Sequence, residues 1–360
     1  MKCADEFRDP AISQGLLKEI RRHLSKPIRI MEVCGTHTTS IFRHGIRSLL
    51  PEEITLLSGP GCPVCVTPAG QIESFIAASH LPDTILATFG DLIRVPGSSS
   101  SLATARSQGA QVEIVYSPMD ALNLARENPA KNTIFPAVGF ETTTPTIAAT
   151  ILQANALKFD NFFIISAAKT MPEALDLLLS DPDLQVDALL CPGHVSAITG
   201  IEFYKPLVEK YGLCCAVAGF EPADILAGIL SLIQQFQKEA PEVANCYPRA
   251  VTTAGNLRAR QLVDQVFTQA DSEWRGLGVI QGSGLKLKER YVSFDAINHF
   301  AIPTTHAEEP RGCRCGDVLK GRFTPPQCLL YGKKCTPMQP VGPCMVSHEG
   351  SCAAYYRYSS

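Results

Sequence analysis

The sequence is poor in features that would point directly to a partner or a compartment. Among 360 residues there is one tryptophan, no long lysine or arginine run, and a net charge of only −3, which gives no electrostatic footprint for nucleic acid. No uncharged apolar stretch reaches the roughly 18 residues that span a membrane. The N-terminus, MKCADEFRDP, also lacks the apolar core of a signal peptide. We therefore expect a cytoplasmic protein without a nucleic-acid or membrane partner.

Familiar nucleotide and protease motifs are absent as well. The sequence contains no GxxxxGK[ST], no GxGxxG after its first strand and no HExxH. If the protein uses a nucleotide, the sequence contains no recognisable motif for binding it. A chain of this length with 45% hydrophobic and 19% charged residues is nevertheless typical of a globular protein with two or three domains.

Short β-branched runs alternate with helical patterns along most of the chain, which predicts parallel sheets built from βαβ units. We expect an α/β protein with two Rossmann-like or thioredoxin-like domains at 28–131 and 132–281, and a cysteine-rich, mainly helical and loop domain formed by 1–27 with 282–360. Helices are predicted around 11–24, 39–50 and 68–79, and strands at 28–33, 54–58, 84–89, 112–116, 132–138, 162–166, 186–191 and 213–218.

A weak internal repeat accompanies this alternation. Residues 135–151 and 214–230 both run from an apolar strand through Gly-Phe-Glu into a helix, which fits either a duplication or convergence on one turn. Glu141 and Glu221 fall at these turns. Ligands of open α/β sheets bind at the carboxyl ends of strands, so both positions are candidates for a site.

Fourteen cysteines require an explanation in a protein expected in a reducing compartment, where metal or redox chemistry is more common than structural disulfides. Six of them lie in the last 48 residues, at positions 313, 315, 328, 335, 344 and 352. Their spacing lacks the paired knuckles of zinc sites and favours an iron–sulfur cluster, with zinc or unligated thiols as alternatives and any four of the six as ligands. The cysteines predicted to be packing residues are Cys3, Cys191, Cys214, Cys215 and Cys246.

The segment MEVCGTHTTS places Cys34 at the end of a strand, before a helix predicted to begin near Thr38 or Thr39. A helix N-terminus lowers the pKa of a cysteine and favours the thiolate. His37 can reach the same space as a base, a donor or a ligand. The alternative is that Cys34 is a small buried residue and His37 a turn residue.

The segment LLSGPGCPVCVTP places Cys62 and Cys65 in the same way, between a strand and a helix. This CxxC arrangement is typical of thiol–disulfide oxidoreductases. Metal ligation completed by Cys34 and His37, or a structural turn, are the other interpretations. In CPGHVSAITG, His194 follows another strand, and we expect one cleft to gather it with the cysteines.

Taken together, these sequence segments resemble those of the hydrogenase maturation factor HypD family over about residues 28–358, and they occur in the family's order. The matching stretches are MEVCGTHT, LLSGPGCPVCVTP, GDLIRVPG, VGFETTTP, CPGHVSAITG, GLGVIQGSGL and the tail from CRCGDVLKG to SCAAYYRY. The resemblance implies a scaffold that, with a small HypC-type chaperone, assembles the Fe(CN)₂CO group of [NiFe]-hydrogenase and accepts cyanide from a HypE-type donor.

The resemblance also implies roles for particular residues. Cys34 would ligate the iron under assembly, and Cys62 with Cys65 would be the redox thiol pair beside it. A [4Fe–4S] cluster would be held by four tail residues, Cys313, Cys328, Cys335 and Cys352. Cys315 and Cys344 are possible substitutes for members of this set.

The hypothesis that follows is an electron path to the iron. The cluster would reduce a Cys62–Cys65 disulfide, and the dithiol would reduce the ligand precursor, while His37, His194 and Glu141 supply protons or hydrogen bonds. A stand-alone iron–sulfur thiol–disulfide oxidoreductase and a zinc-stabilised binding module without chemistry are the alternatives, so whether the chain is itself an enzyme stays open.

Overall fold

The computed structural model describes residues 5–304 and 307–358. Cys3, predicted to be a packing residue, lies outside them. The strands are β1 Ile28–Glu32, β2 Ile54–Ser58, β3 Thr84–Thr88, β4 Gln111–Ile114, β5 Asn132–Gly139, β6 Phe162–Ala168, β7 Ala188–Pro192, β8 Cys214–Ala218, β9 Val243–Asn245, β10 Phe267–Trp274 and β11 Gly278–Leu287.

The helices connect these strands and form the C-terminal region. They are α1 Pro10–His23, α2 Gly35–Arg43, α3 Ile46–Leu49, α4 Ala69–Ser79, α5 Leu102–Ser107, α6 Pro118–Glu127, α7 Thr144–Ala156, α8 Met171–Leu179, α9 Gly193–Thr199, α10 Lys205–Tyr211, α11 Pro222–Lys238, α12 Leu257–Val266, α13 Ala296–His299, α14 Cys315–Leu319, α15 Pro343–Val346 and α16 Ser351–Tyr358. None of them combines the length and apolar character needed to cross a bilayer, within the residues described.

Two parallel sheets organise the chain, and the predicted α/β class is confirmed. The first sheet has the order β2-β1-β7-β8-β9 and the second the order β4-β3-β5-β6. Strands β1, β7 and β8 are buried along nearly their whole length, as expected for strands covered by helices on both faces.

The sheets do not divide the chain at residue 131, where the sequence placed a domain boundary. Strands β1 and β2 pair with β7 from the later segment, whereas β3 and β4 join β5 and β6 in the second sheet. Each predicted α/β segment therefore contributes to both sheets. Periodicity identifies a strand by its own residues, but the partner of that strand is chosen by tertiary packing.

Strands β10 and β11 form an antiparallel hairpin beside the second sheet. This hairpin was not predicted. Thr170 donates its N–H to the carbonyl of Ser283 at 2.9 Å, and the Ser166 hydroxyl donates to the carbonyl of Leu285 at 2.5 Å, so β11 lies beside the end of β6. The sequence interpretation placed the border of the cysteine-rich domain at residue 282, which lies inside β11, since this strand continues to Leu287. Its glycines and polar residues hide the β pattern.

The N-terminal helix and the C-terminal tail pack against different parts of the protein. Leu17 and Ile20 of α1 join the hydrophobic core of the first sheet, although the sequence grouped this helix with the tail. The tail instead covers α2, where the ring of Tyr355 lies 4.3 Å from that of Phe42 and the Thr39 hydroxyl donates to the carbonyl of His348 at 2.9 Å. The cysteine-rich tail therefore packs directly against the CGTH segment.

A buried ion pair fixes the turn between β8 and α11. Asp224 is almost fully buried, and Arg249 donates Nη1 to its Oδ1 at 2.8 Å and Nη2 to its Oδ2 at 2.6 Å. Asp224 also accepts from the N–H of Glu221 at 3.4 Å. The pair holds the segment Gly219–Phe220, whose carbonyls face α2.

Replacing Arg249 tests this pair. R249A leaves a buried carboxylate without this arginine, and we expect the free energy of unfolding to fall by about 3 kcal/mol, measured by chemical denaturation. K210A, which breaks the half-exposed pair of Lys210 with Asp176, is the matched control and should cause a much smaller loss because water screens that pair. Equal losses in the two variants would contradict the assigned role.

Candidate functional site

The carboxyl ends of four neighbouring strands of the first sheet carry the residues singled out by the sequence. Cys34 follows β1, Cys62 follows β2 and His194 follows β7, while Phe220 follows β8. Because parallel strands point the same way, these loops meet at one edge. The phenyl ring of Phe220 lies 4.8 Å from the His37 ring and 5.0 Å from the His194 ring.

The two cysteine motifs are in direct backbone contact. Gly35 donates its N–H to the carbonyl of Gly61 at 3.1 Å, and Gly59 donates to the carbonyl of Glu32 at 2.9 Å. A Cβ at Gly61 would overlap the backbone of Val33 and Cys34. Glycine is therefore required at position 61 for the loop before Cys62 to approach Cys34.

Helix α2 begins earlier than predicted, at Gly35, with Cys34 as its N-cap residue. The expected effect on the thiol is wrong: burial raises the pKa of Cys34 to about 12, and the nearby Glu349 carboxyl adds to the rise. Hydrogen bonds from the helix start, including the Thr36 side chain, oppose this shift but are weaker than the loss of solvation. The thiol is therefore protonated in the free protein.

His37 is buried at the back of this site. Its Nε2 lies 2.9 Å from the carbonyl of Gly219, so Nε2 carries the hydrogen and Nδ1 is an acceptor. Nδ1 has no hydrogen-bond partner among the described residues. Burial lowers the pKa of His37 to about 4 and that of His194 to about 4, so both imidazoles are neutral.

Cys62 and Cys65 form a buried thiol pair. The N–H of Cys65 donates to Sγ of Cys62 at 3.2 Å, and Cys62 Sγ donates to the Ser347 hydroxyl at 3.4 Å. Ser347 in turn donates to Asp91 at 2.9 Å, which brings the GDLIRVPG loop to the same place. The dithiol is thus held by residues from the tail as well as by its own loop.

A chain of thiols leads from this pair into the tail. Cys65 lies within hydrogen-bonding range of both Cys62 and Cys344, and burial raises its pKa well above the usual range. Donation by Cys315, Cys352 and Cys65 holds the pKa of Cys344 well below its usual range. Cys344 therefore joins the CxxC motif to the tail cysteines.

The six tail cysteines line one cavity, whose other walls are mostly apolar: Val318, Leu330, Tyr331 and Met345. A Cβ at Gly342 would lie 2.8 Å from Cys313 Sγ, so the backbone leaves room beside that sulfur. Within residues 5–304 and 307–358, no three His, Cys, Asp or Glu side chains are grouped closely enough to hold a single metal ion. Thiolates spread around a wider cavity suit a cluster of several irons, so the residues fit such a group.

Glu141 lies apart from this edge. It follows β5 of the second sheet, lines a separate cavity with Thr144, Thr170 and Arg260, and accepts the N–H of Met171 at 2.8 Å. Burial raises the pKa of Glu141 to about 7, and its second oxygen has no hydrogen-bond partner among the described residues. Glu221, its counterpart in the weak repeat, instead pairs with Arg8 at 2.6 Å.

Sequence reasoning missed several residues that build the site. Ser347 and Glu349 reach the two cysteine motifs from the tail, where Glu349 accepts from the Thr36 hydroxyl at 2.6 Å. Arg275 is buried against the loop after Cys65 and donates to the carbonyls of Val66 and Thr67 at 2.8 and 2.9 Å. Only the long-range contacts of these ordinary residues reveal them.

The fold and site define a class of protein: an α/β thiol protein that gathers cysteine motifs at one sheet edge beside a cysteine-lined cavity. Comparison with known proteins gives the particular family. The family described as "HypD: Hydrogenase formation hypA family" matches residues 11–359.

Three relatives show how far the similarity extends. The chain is 46% identical to the hydrogenase maturation factor HypD of Escherichia coli, with 99% of this chain and 98% of that protein covered. It is 44% identical to HypD of Rhodobacter capsulatus, with 99% and 98% covered, and 43% identical to HypD of Azotobacter vinelandii, with 99% and 97% covered. The chain belongs to the HypD family and has a role in hydrogenase maturation.

Adding one methyl group at Gly61 tests the contact between the two motifs. In G61A the new Cβ overlaps backbone rather than a movable side chain, so we expect a loss of about 1–3 kcal/mol in stability and faster alkylation of Cys62 and Cys65. G15A is the control, because a Cβ at Gly15 meets nothing within 4 Å. A G61A protein as stable and as slowly alkylated as G15A would contradict the contact.

The buried carboxyl of Glu141 predicts a pH effect. Its pKa is raised from 4.5 to about 7 in the fold, so stability falls as pH rises through this window and is level above it. E141Q removes that contribution, on the order of 3 kcal/mol, and makes the dependence shallower between these values. E173Q, on the same cavity, should reduce the slope of unfolding free energy against pH much less than E141Q, because burial, and only to a small extent the Glu173 charge, raises the pKa of Glu141. Equal slopes for wild type and E141Q would rule out the raised pKa.

Proposed function

We propose that this protein is the scaffold on which the Fe(CN)₂CO group of [NiFe]-hydrogenase is assembled, and that it also supplies reducing equivalents. The observation that carries the proposal is the contact of the Cys34 motif with a buried dithiol that is itself continuous with a cysteine-lined cavity. Its partners are a HypC-type chaperone and a HypE-type cyanide donor, in the cytoplasm.

Cys34 binds the iron that is the cargo of this reaction. A soft thiolate suits an iron that carries cyanide and carbonyl ligands. Burial keeps the Cys34 thiol protonated in the absence of iron, so binding of the cation must release its proton. Thr36 and the first backbone N–H groups of α2 then stabilise the thiolate, while the chaperone provides a further ligand.

The dithiol of Cys62 and Cys65 reduces the precursor of cyanide. The two thiols lose two electrons and two protons and form a disulfide. The S–CN bond of a thiocyanate-like precursor accepts both electrons and breaks. The sulfur and the cyanide each take up one of the two protons, which gives a thiol and hydrogen cyanide. After loss of its proton the cyanide carbon bonds to the iron. His37 Nδ1, an unpaired acceptor among the described residues, accepts a hydrogen bond in this space.

Return of the disulfide to the dithiol requires two electrons and two protons. A [4Fe–4S] cluster bound in the tail cavity would supply single electrons. Four of the six cavity cysteines would hold it, with Cys313, Cys328, Cys335 and Cys352 the set implied by the family resemblance. Cys344, which contacts Cys65, Cys315 and Cys352, carries the connection inward.

The stand-alone thiol–disulfide oxidoreductase is the weaker candidate. A general reductase must present its dithiol to a disulfide of another protein, but Cys62 and Cys65 are both buried. In this proposal they act instead on a ligand bound at Cys34. Glu141, on a separate cavity, has no place in this proposal as a proton donor at the iron.

Infrared spectra of the protein purified with its small chaperone test the proposal. C34A should lose both cyanide and carbonyl bands, because the iron loses its thiolate. The double variant C62A/C65A should retain iron but lack the cyanide bands, because the reductant is missing. C246A, a partly buried cysteine in the core beside α11, is the control and should keep all bands. Wild-type bands in C34A would remove Cys34 from the iron, and wild-type bands in the double variant would end the redox role.

A further inference from the structure

The charge of the chain is strongly segregated. Residues 311–358 contain seven lysines and arginines but two acidic residues, which gives a net charge of +5 in a chain whose total is −3. The remaining residues therefore carry −8. Arg314 and Arg322 are paired with Asp317 and with Asp181, so the outward positive charge is concentrated elsewhere in the tail.

Lys333 and Lys334 occupy the tip of a tight turn whose neighbouring residues form part of the wall of the cysteine-lined cavity. Gly332, with a φ of 67°, donates its N–H to the carbonyl of Cys335 at 3.0 Å, and Cys335 donates to the carbonyl of Leu330 at 2.9 Å. We call residues 330–335 the lysine turn. Both lysines are exposed, while Leu330 and Cys335 of the same turn line the cavity.

Large apolar side chains flank the lysine turn in the sequence. Leu329 is 82% exposed and Met338 is 85% exposed. Arg94 donates Nη1 to the carbonyl of Pro337 at 3.0 Å and adds a further exposed cation beside Met338. Exposed apolar side chains surrounded by charges of one sign are typical of a protein interaction surface.

The dithiol offers no comparable access. Cys65 has no exposed surface and Cys62 is 3% exposed, so a protein reductant cannot touch either thiol. A protein that supplies electrons therefore needs another point of entry, and the exposed part of the tail offers one. The lysine turn has exposed residues next to residues that line the cavity, which makes it a short route for transfer.

We propose that the lysine turn, with Leu329, Met338 and Arg94, is the docking surface for an acidic one-electron carrier protein. This inference rests on the proposed function, since it names the source of the electrons used there. In each encounter the carrier loses one electron and the cysteine-held group gains it, without forming or breaking a bond; two encounters restore one dithiol with two protons from water. Opposite charges raise the rate of encounter, and the small apolar centre allows rapid release.

The experiment uses the full chain and a plant-type [2Fe–2S] ferredoxin as the acidic probe, with binding measured by titration calorimetry. We expect K333E/K334E to weaken binding at least tenfold at low salt, and L329S to weaken it severalfold. Raising the salt should weaken the wild type much more than the double variant, because exposed charges are screened. K18E/K238E, which changes the net charge equally on the exposed faces of α1 and α11, should bind like the wild type.

Anaerobic stopped-flow reduction of the reconstituted protein by the same ferredoxin should slow in K333E/K334E, while reduction by the small reductant titanium(III) citrate should not. Equal ferredoxin affinity in wild type and K333E/K334E would overturn the docking surface. So would a K333E/K334E variant that loses only the HypC-type chaperone. A wild-type chain that binds ferredoxin but holds no iron–sulfur cluster, by iron analysis and electron paramagnetic resonance, would instead overturn the proposed function.

Discussion

The site depends on the way two neighbouring strands keep their backbones in contact after they end. Beyond β1 and β2, the carbonyl of Glu32 accepts from Gly59 and the carbonyl of Gly61 accepts from Gly35. The absence of a side chain at Gly61 allows this approach, since a Cβ there would overlap Cys34 itself. The CGTH and CPVC motifs, which are separated in the sequence by α2, α3 and β2, thereby become one structural unit.

Burial decides the chemistry that this unit can perform. The pKa of Cys34 is raised to about 12 and that of His37 lowered to about 4, both chiefly because a charged side chain would lose its hydration. The free site therefore holds a protonated thiol and a neutral imidazole. A cation that binds there must displace a proton. This requirement favours soft metal ions, which bind a thiolate tightly, over ions that bind a thiolate weakly. The same burial keeps other proteins from contacting the Cys62 and Cys65 thiols directly.

Much of the fold follows from local sequence patterns. The continuous apolar runs IRIMEV and ITLLS predicted β1 and β2, since such runs are typical of strands covered on both faces. Pro68 correctly marked the start of α4. The partners of the strands did not follow, because β1 pairs with β7 from a distant part of the sequence. The hairpin of β10 and β11 was missed since its glycines and polar residues carry little β signal.

The site shows the same division. The sequence placed Cys34, Cys62 and His194 at strand ends, and the common direction of parallel strands was enough to expect them at one edge. It misjudged the pKa of Cys34, because the helix start is a local feature whereas burial depends on the whole fold. Spacing also gave no means of distinguishing Cys344, whose contact with Cys65 arises from packing of the tail.

The central claim is that the CxxC thiols and the tail cysteines form one continuous path. Graded oxidation of the full chain with diamide, followed by alkylation and peptide mapping by mass spectrometry, tests it most directly. We expect Cys62 to pair with Cys65 first, and a Cys65–Cys344 disulfide to form when Cys62 is replaced by serine. Free Cys65 and Cys344 in oxidised C62S, with Cys65 pairing only between molecules, would contradict the account.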